Sequence, residues 1–200
     1  MANPDAPFGM RTPYNLDGSQ PMMRRAYIAA GYATALFIGD PVIWTTTLTG
    51  KEAEAKYPTI IRSAGTTGTL IRGVIASFEH NPDNLTLQYN PASTERWCII
   101  YLASPQTVFQ IRDDGDATPA VVWQGQNAVG AYTDAGSTVT GLSGFAIDGT
   151  TAPTTTQAFP LHILGLSDIP GNELGDFAIW DVIANTCYNT TGLYLGVTAS

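Results

Sequence analysis

The sequence predicts an all-β protein: a compact β-barrel or β-sandwich of many short strands, preceded by an extended N-terminal arm. Three observations carry this. Charged residues make up 13% of the chain against 44% hydrophobic, about half the usual charged share, which leaves little material for long solvent-facing helices. The apolar runs are short and separated by Gly, Pro and Asn turn signals, the punctuation of strands. Residues 96–116, RWCIIYLASPQTVFQIRDDGD, read as two strands joined by a turn, a hairpin around which the other strands can be arranged. In it, Arg96–Leu102 is almost continuously apolar and predicts a strand buried on both faces. Ser104 and Pro105 suit the turn. Thr107–Arg112 alternates, predicting Phe109 and Ile111 on a buried face, Gln110 and Arg112 on the other, and a polar turn over residues 113–116.

From the start of the chain, residues 1–21 form the arm and residues 22–200 a single β-rich domain. Pro4, Pro7, Pro13 and Pro21 exclude a helix and bias the residues before them to extended geometry. Phe8, Met10 and Tyr14 recur along that path as apolar anchors, too many for a merely solvated tail. Residues 22–44 predict a strand, a turn at Gly31, a second strand, and a sharp turn at Gly39-Asp40-Pro41 leading into a third. Residues 50–57, GKEAEAKY, are the densest charge and predict a solvated loop. Residues 69–78 predict a strand bulged at Gly73, and residues 85–89 a short alternating strand. Further strands are expected at residues 120–123, 141–147, 159–166, 176–184 and 193–197.

The formal net charge of −8 disfavours nucleic acid as a partner, because phosphate is repelled. No apolar run reaches the length of a membrane-spanning helix, and residues 1–5 lack the basic and apolar regions of a signal peptide, which predicts synthesis in a cytosol. In such a compartment Cys98 and Cys187 are expected as buried thiols; two Cys without CxxC spacing do not make a zinc site.

Candidate catalytic residues are sparse. His80 sits in a loop and His162 in a strand, neither within a recognisable catalytic motif. Gly141-Leu142-Ser143-Gly144-Phe145 lacks the second Gly of a nucleophile elbow. Asp113, Asp114 and Asp116 resemble a fragment of a cation loop but lack the closing Glu. Asp176 and Asp181, in one strand-like run, could supply the paired carboxylates of glycoside chemistry, but a strand start and an edge or interface polar group are the default for them. Trp44, Trp97, Trp123 and Trp180 could form a sugar platform, but each lies in an apolar run, where core packing is the default. The sequence thus assigns no catalytic residue, no metal ligand and no cofactor.

The opening ANPDAPFGMR at residues 2–11, with Tyr14-Asn15 after it, resembles the N-terminus of small virion structural proteins of tailed bacteriophages. In those an Ala-Pro-Phe-Gly-Leu-Arg-like start precedes a Tyr-Asn or similar turn. The likeness continues in patches through residues 37–42, 107–115, 161–166 and 170–173. Met10 stands where Leu is expected, a volume-conserving exchange, and the charged insert at residues 50–56 has no counterpart. The resemblance is to head decoration, or cement, proteins. It implies β-rich homotrimers, made in the host bacterial cytoplasm, that sit on the capsid exterior and brace the head by bridging major capsid proteins. Pro7, Phe8, Met10, Arg11 and Tyr14 are then the candidate partner-binding residues, docking on the shell or on a sister subunit. The alternatives are another virion β-protein, from the tail or fibre base, a carbohydrate-binding module, or a small β-fold hydrolase.

Overall fold

The computed structural model describes residues 3–45 and 57–187. It is all-β. Its twelve described strands are β1 (Arg11–Asn15), β2 (Met23–Ile28), β3 (Pro41–Thr45), β4 (Thr59–Arg62), β5 (Gly73–Phe78), β6 (Arg96–Leu102), β7 (Thr107–Arg112), β8 (Asn127–Ala128), β9 (Gly130–Ala131), β10 (Ala146–Ile147), β11 (Leu161–Leu166) and β12 (Ile179–Ala184). Strands β2-β4-β3-β5-β6 close into a barrel, and β1-β7-β12-β11-β8 form a five-stranded sheet. The sheet is antiparallel throughout, with β1 at one edge and β8 at the other.

Each body has its own apolar centre. Ala26, Ile28, Val42, Ile60, Ile75, Cys98 and Ile100 fill the barrel. Phe109, Ile111, Trp180, Val182, Leu161 and Ile163 lie on one face of the sheet, and Met10 and Phe145 close over them. Alternation explains the selection: in β12 it is Trp180, Val182 and Ala184, every second residue, that join this cluster.

The hairpin expected at residues 96–116 does not form. Strand β6 pairs with β2 and β5 in the barrel, and β7 pairs with β1 and β12 in the sheet. Both edges of each strand are therefore occupied, and neither has a free edge for the other. The turn itself is present: the Thr107 N–H donates to the Ser104 carbonyl at 3.1 Å, with Pro105 at the position that favours its fixed φ. It hands the chain from one body to the next.

The two strands also exchange their expected burial. β6 alternates, with Ile99 37% exposed on the outer barrel face, because a closed barrel has one inner face only. β7 is buried at all six positions. It lies second in the sheet, and on its far face Gln110 and Arg112 are covered by arm residues rather than by water: Arg11 Nε donates to Gln110 Oε1 at 2.9 Å. Phe109 and Ile111 are buried as expected.

Other elements shift. Residues 120–123 form a 3₁₀ turn, Val121–Trp123, not a strand. Residues 85–89 carry no strand, and Leu85 is 76% exposed. The second expected strand, before Gly39, reduces to isolated bridges at Leu36 and Ile38. The bulge in β5 falls between Ile75 and Ser77 instead of at Gly73, which opens the strand. The insert at 50–56 and the strand expected at 193–197 lie outside the described residues.

Candidate functional site

The arm carries the candidate residues, and its path decides which are available. Asn3 caps the loop before β12: its amide donates to the carbonyls of Glu173 at 2.8 Å and Asp176 at 3.0 Å, and its Oδ1 accepts from the Glu173 N–H at 3.0 Å. Asp5 pairs with Arg112 at 2.6 Å, while Asp134 holds the second guanidinium nitrogen. Phe8 lies under the Arg11 guanidinium, 4.6 Å from ring centroid to carbon. Then Met10 donates its N–H to the Gly39 carbonyl at 2.9 Å, and β1 pairs with β7.

At that crossing only glycine fits. Gly9 has φ +71 and Gly39 φ +92; a Cβ on Gly9 would lie 2.6 Å from the Gly39 oxygen, and one on Gly39 would lie 2.5 Å from the Phe8 oxygen. The stretches Phe8-Gly9-Met10 and Phe37-Ile38-Gly39-Asp40 thus touch backbone to backbone.

The arm is therefore part of this chain's own fold. Met10 is 2% exposed and belongs to the sheet's core, which corrects the expectation that it anchors a partner: its side chain already packs within its own chain. Pro7 and Phe8 are half-buried. Arg11 is exposed, Tyr14 is 42% exposed, and Leu16 beyond it is 53% exposed. Tyr14 is steadied by its hydroxyl, which donates to Asp181 Oδ2 at 3.4 Å, so burial and the Asp181 charge raise its pKa. Met22 and Met23 follow at 65% and 62% exposed. Leu16 lies just past β1, Met22 just before β2 and Met23 at its start; an apolar residue at a strand end carries no sign in the sequence of which way it faces.

Under the arm lies a cavity of about 210 Å³, walled by Phe8, Ile169, Pro170 and Phe177 with Arg112 beside it. Phe177 has φ +62, a left-handed conformation costly for a large side chain, and Arg112 lies 5.1 Å over its ring.

Asp40, Asp113 and Asp114 are buried, and burial raises the pKa of each. Asp40, fully buried, accepts from the Ser143 hydroxyl at 2.5 Å and the Phe37 N–H at 2.9 Å, yet burial pushes its pKa up to about 6. Asp113 accepts from Phe177 N–H at 2.9 Å and Gly115 N–H at 3.0 Å and is likewise raised by burial to about 6. Ser143 is thus a structural donor locked under Asp40. The polar turn at Asp113 and Asp114 is buried rather than solvated, and no group of three or more metal-ligating side chains forms among the described residues.

The remaining candidates are dispersed. His162 is half-buried, Nδ1 at 2.7 Å from Asn127 Oδ1, its pKa lowered by burial; His80 lies exposed beyond β5. Asp176 stands on an exposed loop, whereas Asp181 lies within β12 beside Tyr14. Trp123 and Trp180 pack against each other in the core, centroids 5.7 Å apart. Trp97 carries the Arg25 guanidinium 4.1 Å over its ring, with Tyr27 and Tyr57 against it, so it offers no open platform. Cys98 and Cys187 are both buried, and neither is part of a disulfide. No protein-family model, no curated protein and no solved structure matches this chain.

Proposed function

We propose that this protein is a capsid decoration protein of a tailed bacteriophage, binding the outer surface of the head and bridging major capsid proteins. One observation supports the reading above the rest. The N-terminal strand β1 forms an edge of the five-stranded sheet, and its end presents Tyr14 and Leu16 to solvent from a rigidly clamped backbone. Large apolar side chains held in place on a sheet edge lose little conformational entropy on docking. Pro13 has no N–H to give and the pairing with β7 is irregular between Arg11 and Tyr14, so the edge resists strand addition. The shell is met by side chains: Arg11, Tyr14 and Leu16, with Phe8 and Pro7 behind them.

The acidic composition fits a position away from packaged DNA. Many copies on one lattice add avidity without new contacts. Removal of the whole arm is a poor test, because it strips Met10 and β1 from the fold. The double variant Tyr14→Ser with Leu16→Ser keeps both. Co-sedimentation with expanded heads, with separated tails as the control, is expected to show wild-type binding to heads and at least about a tenfold loss in the variant. Binding to tails alone would turn the reading to a tail component; undiminished head binding by the variant would overturn the docking edge.

A further inference from the structure

The cavity under the arm is built from two sides. Phe8 and residues before it form one wall, and Ile169, Pro170, Phe177 and Ile179 form the other. Arg11 and Arg112 enter from the sheet. Arg11 pairs with Gln110 across β1 and β7 and donates to its side chain, so Arg11, Gln110 and Arg112 share one face of the sheet. Diagonal neighbours such as Arg11 and Arg112 lie about 7–8 Å apart, close enough for one small group to meet both guanidinium groups.

Four polar side chains line the space: Asn3, Asn172, Arg11 and Arg112. The two asparagines are committed. Asn3 donates to the Glu173 and Asp176 carbonyls and accepts from the Glu173 N–H. Asn172 donates to the carbonyls of Ser167 and Ile179, both at 2.8 Å, and accepts from the Ile179 N–H at 2.9 Å. The two arginines hold donors in reserve. Arg112 gives Nη1 to Asp5 and Nη2 to Asp134, yet its Nε is buried with no hydrogen-bond partner among the described residues. Arg11 donates through Nε to Gln110 and lies over Phe8, and its Nη groups make no hydrogen bond or ion pair among the described residues. No acidic side chain belongs to the lining. What the side chains of this cavity have to offer is donors only.

The apolar walls are held in place. Phe177, at φ +62, is fixed by its N–H bond to Asp113 at 2.9 Å and by its ring, which packs so closely on Gly115 that a Cβ there would lie 2.4 Å from it. A left-handed conformation is costly for so large a residue, and here it sets an aromatic face in the cavity wall opposite Phe8. At about 210 Å³, the space exceeds the roughly 150 Å³ that admits benzene.

We propose that this cavity binds a small organic carboxylate with an apolar body the size of one ring. Its carboxylate accepts from Arg112 Nε and from the Arg11 guanidinium, and its ring lies between Phe8 and Phe177. Asp5 and Asp134 already balance Arg112, which therefore supplies a directed donor, while Arg11 supplies the charge. A carboxylate only accepts, so it matches a lining that only donates, and its bonds to guanidinium groups are charge-assisted. An alcohol brings a donor for which no side chain of the lining has an acceptor, and a dianion finds no second unbalanced cation. The inference stands apart from the capsid reading, since the site is assayed on the purified protein without heads.

The test is isothermal titration of the full chain with sodium benzoate. Wild type is expected to bind it saturably, with a dissociation constant of about 1 mM or tighter. Acetate, which lacks the ring, and benzyl alcohol, which lacks the charge, are each expected to bind at least about tenfold more weakly. Arg11→Gln removes the charge and is expected to weaken benzoate at least about tenfold. Ile169→Trp fills the space from the loop wall and is expected to abolish binding, with circular dichroism confirming the fold. Arg11 is exposed, so its variant carries the test even where the added Trp disturbs folding. No saturable binding of benzoate by wild type, acetate or benzyl alcohol binding as tightly as benzoate, or undiminished binding by either folded variant would each overturn the proposal.

Discussion

Arg112, with a side chain 2% exposed, is ion-paired at 2.6 Å with Asp5, which lies 107 positions earlier and is 60% exposed. A buried cation is thus neutralised partly by a surface residue of the arm, with Asp134 as the other partner. The arm is therefore an electrostatic part of the sheet as well as a strand of it.

Asp5→Ala leaves Asp134 in place and removes a pair that is half in water, so a loss of about 1 kcal/mol is expected. Arg112→Ala strips both acids of their partner and opens a hole beside Phe177, and about 3 kcal/mol or more is expected. Denaturant midpoints give both values. Hydrogen exchange adds a local reading: Asp5→Ala should speed exchange at the Met10 amide, and unchanged protection there would contradict the clamp.

The crossing of Gly9 with Gly39 gives a sharper test. Either residue changed to Ala places a methyl within 2.6 Å of a backbone oxygen at a left-handed φ, and each is expected to cost about 2 kcal/mol or more. Met10→Ala should cost about 2 to 4 kcal/mol as a core truncation. Variants as stable as wild type by thermal or urea unfolding would mean that the arm does not dock along this path.

Asp40 and Asp113 have pKa values raised by burial to about 6, above the unfolded value near 3.8. Protons are therefore bound more tightly by the folded state. The stabilisation from these two groups is complete below pH 4 and is lost as pH rises through about 6. Between pH 5 and 7.5 the stability of wild type relative to Asp40→Asn should fall, by on the order of 2 kcal/mol. Asn can still accept from Phe37 while donating to Ser143. Parallel stability curves for the two proteins across that range would show that Asp40 does not titrate with folding.

Cys98 has its thiol pushed up to about 12, first by burial and then by Glu79, and Cys187 is buried too. Neither should react with a thiol reagent in the native protein at pH 8, and both should react in denaturant. Rapid labelling of one thiol before unfolding would place it at the surface.

The all-β class was legible from short apolar runs and turn residues, and so was the core face of β7, because Phe109 and Ile111 alternate with Gln110 and Arg112. Pairing was not legible. Thr107 follows Leu102 closely enough for a hairpin, and only the competing edges of β2, β5, β1 and β12 decide otherwise. Burial of Arg112 was hidden for a related reason: its partners, Asp5 and Asp134, are remote in sequence. The anchors along residues 8–14 were visible, but periodicity cannot tell a side chain that packs at home, as Met10 does, from one that faces outward, as Tyr14 does.

The hand-over at residues 103–106 has a mechanical consequence. A pull on the exposed end of β1 loads its hydrogen bonds to β7 lengthwise, several at once, rather than peeling them singly. The load reaches the closed barrel by two covalent routes, from β7 through residues 103–106 into β6 and from β1 itself through residues 16–22 into β2. The barrel then acts as an anchor block and the sheet as a tie. Under strain the first part to yield is the far end of the arm, and the two cores stay whole behind it.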